Sequence, residues 1–227
     1  MYKLLLLMLL FSAFMPPESF IVEKLGGRVL VQKGTEENWA EVKMGDKFSA
    51  SDLLVTGDKA FVQLSKGGGS FFLKGNSAVS LGSIKKLTRD ELLLALTMEE
   101  IKNVPKKNNA PGVRSTAVYG SHMGKNPDKN TVSNGLGAKK LNGARQLAES
   151  GFSESAVVVA KETMRKYPET QQNASDRIYF AGILEKLNLF DEAYSEYSKI
   201  NALSLTEKEK ALVKGRLDIL ASKISQK

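Results

Sequence analysis

Between residues 20 and 86 the apolar positions come in short runs, cut by turn residues about every ten positions. Val29 and Val31 follow the Gly26-Gly27 pair, and Trp39 and Val42 precede Gly45-Asp46. Leu53-Leu54-Val55 ends at Thr56-Gly57-Asp58, and Phe61, Val62 and Leu64 lead to Gly67-Gly68-Gly69. Phe71 to Leu73 and Ala78 to Leu81 close the series, split by Gly75-Asn76. Short Val, Leu and Phe runs between Gly, Asp and Asn predict an all-β unit.

The period then changes. Thr88 stands three residues before Glu91, the spacing of a capping box, and Leu92, Leu93, Leu96 and Ile101 follow at helical intervals, so Leu87 to Ile101 is expected to be a helix. From 141 to 227 the chain is helical throughout. Leu141, Ala144, Leu147 and Ala148 share one face up to Gly151, and Ala156, Ala160 and Met164 share the next up to Tyr167-Pro168. Ile178, Ala181, Leu184 and Leu187 line a third helix, and Ala193, Tyr197 and Ile200 a fourth. Thr206 and Glu209 cap a fifth, with the stripe Val213, Leu217, Leu220 and Ile224. Residues 102–140 contain Pro105, Pro111 and Pro127 and few large apolar side chains, a linker's composition, with Ser115 to Tyr119 a candidate extra strand.

The amino terminus has its own pattern. Lys3 precedes the apolar run Leu4 to Phe14, which breaks at Met15-Pro16-Pro17-Glu18-Ser19. A run this short suits a secretory signal better than a spanning helix, which needs about 20 residues, or a buried helix or strand. Ser19 is the expected last residue of the signal, and an uncleaved membrane anchor stays open. The division expected is therefore 1–19 signal peptide, 20–101 β domain with a terminal helix, 102–140 linker and 141–227 helical domain.

Composition narrows the chemistry. The 227 residues hold 33 Lys and Arg against 25 Asp and Glu, a formal charge of +8, with no Cys and the single His122. No Cys means no disulfide framework, thiolate metal site or thiol nucleophile, and one His disfavours a His-built zinc site or catalytic array. Residues 102–140 carry eight basic residues (Lys102, Lys106, Lys107, Arg114, Lys125, Lys129, Lys139 and Lys140) against Asp128 alone. The excess thus marks the linker, not a basic domain face, and export also argues against a nucleic-acid partner.

Two resemblances follow. The series Gly27-x-Val29-x-Val31, Trp39-x-x-Val42-x-x-Gly45, Asp52-x-Leu54-x-Thr56-Gly57, Ala60-x-Val62-x-Leu64, Gly69-Ser70-x-x-Leu73 and Asn76-Ser77-x-Val79-x-Leu81 resembles a FecR-type domain over about 60 residues. That likeness implies a periplasmic β-solenoid or β-sandwich module of the kind found in cell-surface signalling. The helices resemble two tetratricopeptide repeats. Ala144, Leu147, Gly151, Ala156, Ala160 and Pro168 match one, and Ala181, Leu184, Phe190, Ala193, Tyr197 and Ile200 the next. Ala156 and Ala193 are 37 positions apart, against a family period of about 34. A plain four- or five-helix bundle has the same periodicity.

Candidate chemistry is sparse. Gly67-Gly68-Gly69-Ser70 lacks the Gly-Lys-Ser/Thr of a phosphate loop and reads as a hairpin turn. Glu36-Glu37, Glu99-Glu100 and Asp191-Glu192 read as solvated surface or helix-end charge, and His122 as a solvated linker residue. Trp39 is expected to fill the β core, with a sugar-stacking platform as the lesser alternative. Tyr179, Tyr194 and Tyr197 are expected in helix packing, or one or two in a peptide groove. No catalytic, cofactor-binding or metal-ligating residue is assigned and no cofactor is expected. Two readings remain: a non-catalytic envelope adaptor whose two modules bind an envelope protein or peptide segment, or a binder of envelope glycan or anionic lipid surface. The membrane is involved only through the export signal.

Overall fold

A computed structural model of the chain describes residues 19–36, 38–103 and 135–226. Eight strands come first: β1 (Phe20–Gly26), β2 (Val29–Gln32), β3 (Trp39–Glu41), β4 (Lys47–Phe48), β5 (Leu53–Thr56), β6 (Phe61–Lys66), β7 (Gly69–Leu73) and β8 (Ala78–Ser80). Six helices follow: α1 (Arg89–Asn103), α2 (Leu136–Glu149), α3 (Ser153–Lys166), α4 (Ala174–Lys186), α5 (Phe190–Ile200) and α6 (Glu207–Ser225). The β-then-α division is the one expected; β1 and β4 are the strands that the run pattern does not single out.

The strands form two four-stranded antiparallel sheets, ordered β4-β1-β6-β7 and β3-β2-β5-β8. Val22, Val62, Leu64 and Leu73 of the first meet Val31, Leu54 and Val79 of the second in one buried cluster. The described strands therefore make two packed layers, without a closed solenoid. The β6–β7 turn is the expected tight hairpin: Lys66 pairs with Gly69, and Gly67 and Gly68 stand at φ 56° and 79°, a backbone that favours glycine at both places. Thr56 ties the β8 end: its Oγ1 donates to the Lys74 carbonyl at 2.7 Å and accepts from the Ser77 N–H at 3.0 Å. Asp52, also buried, accepts from the Gly34 and Ser49 N–H groups at 3.0 and 2.8 Å.

The expected helix starts are borne out at α1 and α6. Thr88 and Glu91 exchange capping hydrogen bonds, as do Thr206 and Glu209. Helices α2–α3 and α4–α5 are two hairpins with the same turn. Gly151 (φ 86°) and Asn188 (φ 57°) end the first helix of each pair in left-handed backbone. The Phe152 N–H then donates to the Leu147 carbonyl and the Leu189 N–H to the Leu184 carbonyl, at 2.9 and 3.0 Å. Ala144, Ala156, Ala181 and Ala193 have no exposed surface, so their helices approach closely.

Three expectations are corrected. The stretch 102–140 is not linker at its ends: Lys102 and Asn103 finish α1, and α2 opens at Leu136, because Leu136 packs with Leu30, Val55 and Ala78 on the second sheet. Trp39 lies in that outer cluster, not between the sheets. Ile101, expected on the packed face of α1, is 66% exposed. Ser115 to Tyr119 and the amino-terminal signal lie outside the described residues.

Candidate functional site

Both halves build the seam where α2 lies on the second sheet. Gly143 sets the approach: a Cβ there would stand 2.0 Å from the Ala78 carbonyl oxygen, so only glycine lets the helix come this close. Gln146, next on that face, is buried and satisfied at both ends. Its Oε1 accepts from the Lys74 N–H and its Nε2 donates to Ser77 Oγ, each at 2.6 Å. Asn142 donates to the Asn76 carbonyl at 2.8 Å, and Ser155 of α3 donates to the Lys85 carbonyl at 2.7 Å. Lys139 reaches the Thr56 carbonyl at 3.4 Å. On the same helix burial lowers the Lys140 pKa, a shift that Glu162 opposes and Lys166 reinforces. Two of the eight basic residues ascribed to a linker are therefore part of the helix docked on the sheet.

Two buried carboxylates brace the helices against one another. Glu196 on α5 takes Arg177 of α4 through Nε and Nη2 at 2.9 and 2.7 Å, and also Lys161 of α3. Burial pushes its pKa up, but the two cations outweigh burial and hold it below the ordinary value. Glu99 on α1 receives Arg165 of α3 at 2.6 Å and Lys102 at 2.7 Å. Its pKa is lowered in the same way, burial opposing and the cations prevailing. The solvated-surface reading of Glu99 is thus overturned, because its neighbours on α1, Leu92 and Leu96, turn it inward. Such pairs are costly to break and say little about net stability.

Two crevices open beside the seam. One, of about 300 Å³, lies between the β6–β7 turn and the start of α3, floored by Phe20, Phe71, Ile84 and Phe152, with Lys66 Nζ 5.0 Å from the Phe20 ring centre. The other, of about 330 Å³, runs between α1 and α3 and is lined by Leu87, Leu94, Ala95, Met98 and Val158, with Lys85 and Glu91 at its rim. Leu94, Met98 and Ile101 continue this apolar surface along α1, at 63%, 50% and 66% exposure.

The remaining candidates disperse. Glu36 is exposed and its carbonyl accepts from Gln32. Glu37 and His122 lie outside the described residues. Glu100 stands 4.0 Å from Lys199, and Asp191 and Glu192 sit in the first turn of α5, where the helix dipole favours them. Tyr197 is buried, Tyr194 is 39% exposed, and the Arg145 guanidinium sits 4.1 Å over the Tyr179 ring. Gln146, Glu196, Lys161 and Arg177 went unremarked in the sequence, since nothing local separates them from solvated helix residues. Among the described residues no three His, Asp or Glu side chains gather as metal ligands would, and no helix is long and apolar enough to cross a membrane. Comparison of the chain with protein families, with characterised proteins and with solved structures finds no match.

Proposed function

We propose that the chain is an exported, non-catalytic envelope protein in which a FecR-type β module carries two tetratricopeptide-like hairpins and acts as an adaptor between protein partners. The observation that carries this reading is the paired turn geometry. Gly151 and Asn188, 37 residues apart, close their helices with the same hydrogen bonds, and buried alanines recur at the same offset. Paired helices repeated in this way suit the recognition of protein segments. Docking of α2 on the second sheet adds to it. The two halves share one core, so partners bound to each would be held at a fixed distance, not on a free tether. Export rests on Lys3 and the apolar run Leu4 to Phe14.

The test combines fractionation with crosslinking in intact cells. A photoreactive residue replaces Tyr194, exposed on α5, and in a second strain Phe72, exposed on β7. The expected result is a chain recovered from the envelope with Phe20 as its first residue, forming a discrete adduct with another protein from at least one position. A full-length chain recovered from cytosol, or adducts from neither position, would overturn the reading. An adduct of twice the chain's mass reports self-association and is scored separately.

A further inference from the structure

We infer that the β half with α1 (residues 20–103) and the helical half (residues 135–226) recognise each other as two separate proteins would, so that a chain cut between α1 and α2 stays whole. The contacts that cross between the halves are of the kind that hold permanent complexes together. Leu136 of α2 covers Leu30, Val55 and Ala78, and the Phe71 and Phe152 rings meet with their centres 6.3 Å apart. Leu92 and Leu96 of α1 belong to the same buried cluster as Val157, Ala160 and Met164 of α3, the helix on which α1 packs. Parting the halves would return these side chains to water, and permanent interfaces are likewise a domain core cut in two.

Polar contacts select the partner. Gln146, Ser155 and Glu99 are all buried, and each is answered from the opposite half. Gln146 meets the Lys74 N–H and Ser77 Oγ, Ser155 meets the Lys85 carbonyl, and Glu99 meets Arg165. When the halves part, water replaces these bonds at little cost. Under any other apolar surface the same groups would be buried without partners, which penalises a wrong match far more than it rewards the right one. Gly143 adds shape, because its missing Cβ makes room for the Ala78 carbonyl. Apolar contacts therefore give the seam its strength and polar ones its identity. A cut between α1 and α2 leaves every one of these contacts in place and takes away the effective concentration that a covalent link supplies. This does not depend on the adaptor reading, and an adaptor that failed to find other proteins would leave it standing.

A protease recognition sequence inserted between Gly124 and Lys125 of the full chain tests it. After complete cutting, confirmed as two bands on a denaturing gel, light scattering at micromolar concentration is expected to give the mass of one chain. The melting temperature of the cut chain is expected to fall on dilution, while that of the uncut chain stays constant. Gln146→Ala is expected to weaken pairing of the cut halves at least tenfold, with the uncut variant still melting cooperatively. Ser155→Ala is expected to act in the same direction by severalfold, and Gln63→Ala, on the open face of the first sheet, to leave pairing unchanged. The inference is overturned by halves that separate at micromolar concentration while the uncut chain keeps its fold. It is equally overturned by cut halves whose pairing neither Gln146→Ala nor Ser155→Ala weakens, since apolar adhesion without recognition would then hold them.

Discussion

The two sheets differ in how their strands read, and the difference records what covers them. In the first sheet β6 alternates: Val62 and Leu64 are buried while Phe61, Gln63 and Ser65 face outward. In the second, β5 runs Leu53-Leu54-Val55-Thr56 with three successive residues buried, and β2 does the same with Val29, Leu30 and Val31. Alternation marks a sheet solvated on one side, and an unbroken apolar run marks one covered on both. The cover is α2, whose Leu136 meets Leu30, Val55 and Ala78. The docking of the helical half was thus written into the strands of the other half, more than 50 residues ahead of the helix that completes it.

The most disruptive test of that difference is Gly143→Val. Its Cβ would fall on the Ala78 backbone, so α2 must lift from the second sheet, at an expected cost of about 3 kcal/mol or more in thermal unfolding. Hydrogen exchange should then rise in β5 and β8 and leave β6 protected; equal loss in both sheets would mean that α2 supports the whole β unit. Next comes Glu196→Gln, which leaves Lys161 and Arg177 without their carboxylate, for about 3 kcal/mol. The pH dependence follows from the lowered pKa. Glu196 and Glu99 stabilise the fold above the ordinary carboxylate pKa, and that contribution is lost as the pH falls through their depressed values. Acid titration of the parent chain should therefore loosen the helices first, and Glu196→Gln should flatten the curve.

Gln146→Ala deprives the Lys74 N–H and Ser77 Oγ of their partner in the seam, for about 2 kcal/mol by chemical denaturation. The smallest effects sharpen the comparison most. Val55→Ala on the covered outer face should cost about 1.5 kcal/mol, and Gln63→Ala on the open outer face less than about 0.5 kcal/mol. Equal costs would show that the second sheet's outer face is not buried in solution.

Much of the fold was legible because its signals are local. Thr88 and Glu91 announce α1, Thr206 and Glu209 announce α6, and Gly67-Gly68 announces the hairpin, each within four residues. The candidate surfaces were less so. Leu94, Met98 and Ile101 sit in a run, Leu92 to Ile101, that is apolar nearly all round, and only the placement of α3 decides which residues turn inward. Glu99 and Glu100 are adjacent and chemically alike, yet one is buried against Arg165 and the other exposed. Trp39 was misplaced for the same reason: a short strand shows that alternate residues share a face, not which face meets the other sheet.

The covered second sheet also sets an order of events during synthesis. Its last strand ends at Ser80 and its cover begins at Leu136, so the sheet is complete while its cover is still 56 residues away. At ordinary elongation rates of about 5–20 residues per second, that interval lasts several seconds. Throughout it, Leu30, Val55 and Ala78 have no helix over them. A nascent chain therefore presents an apolar sheet face that the finished protein hides, and this is where a holding chaperone would meet it.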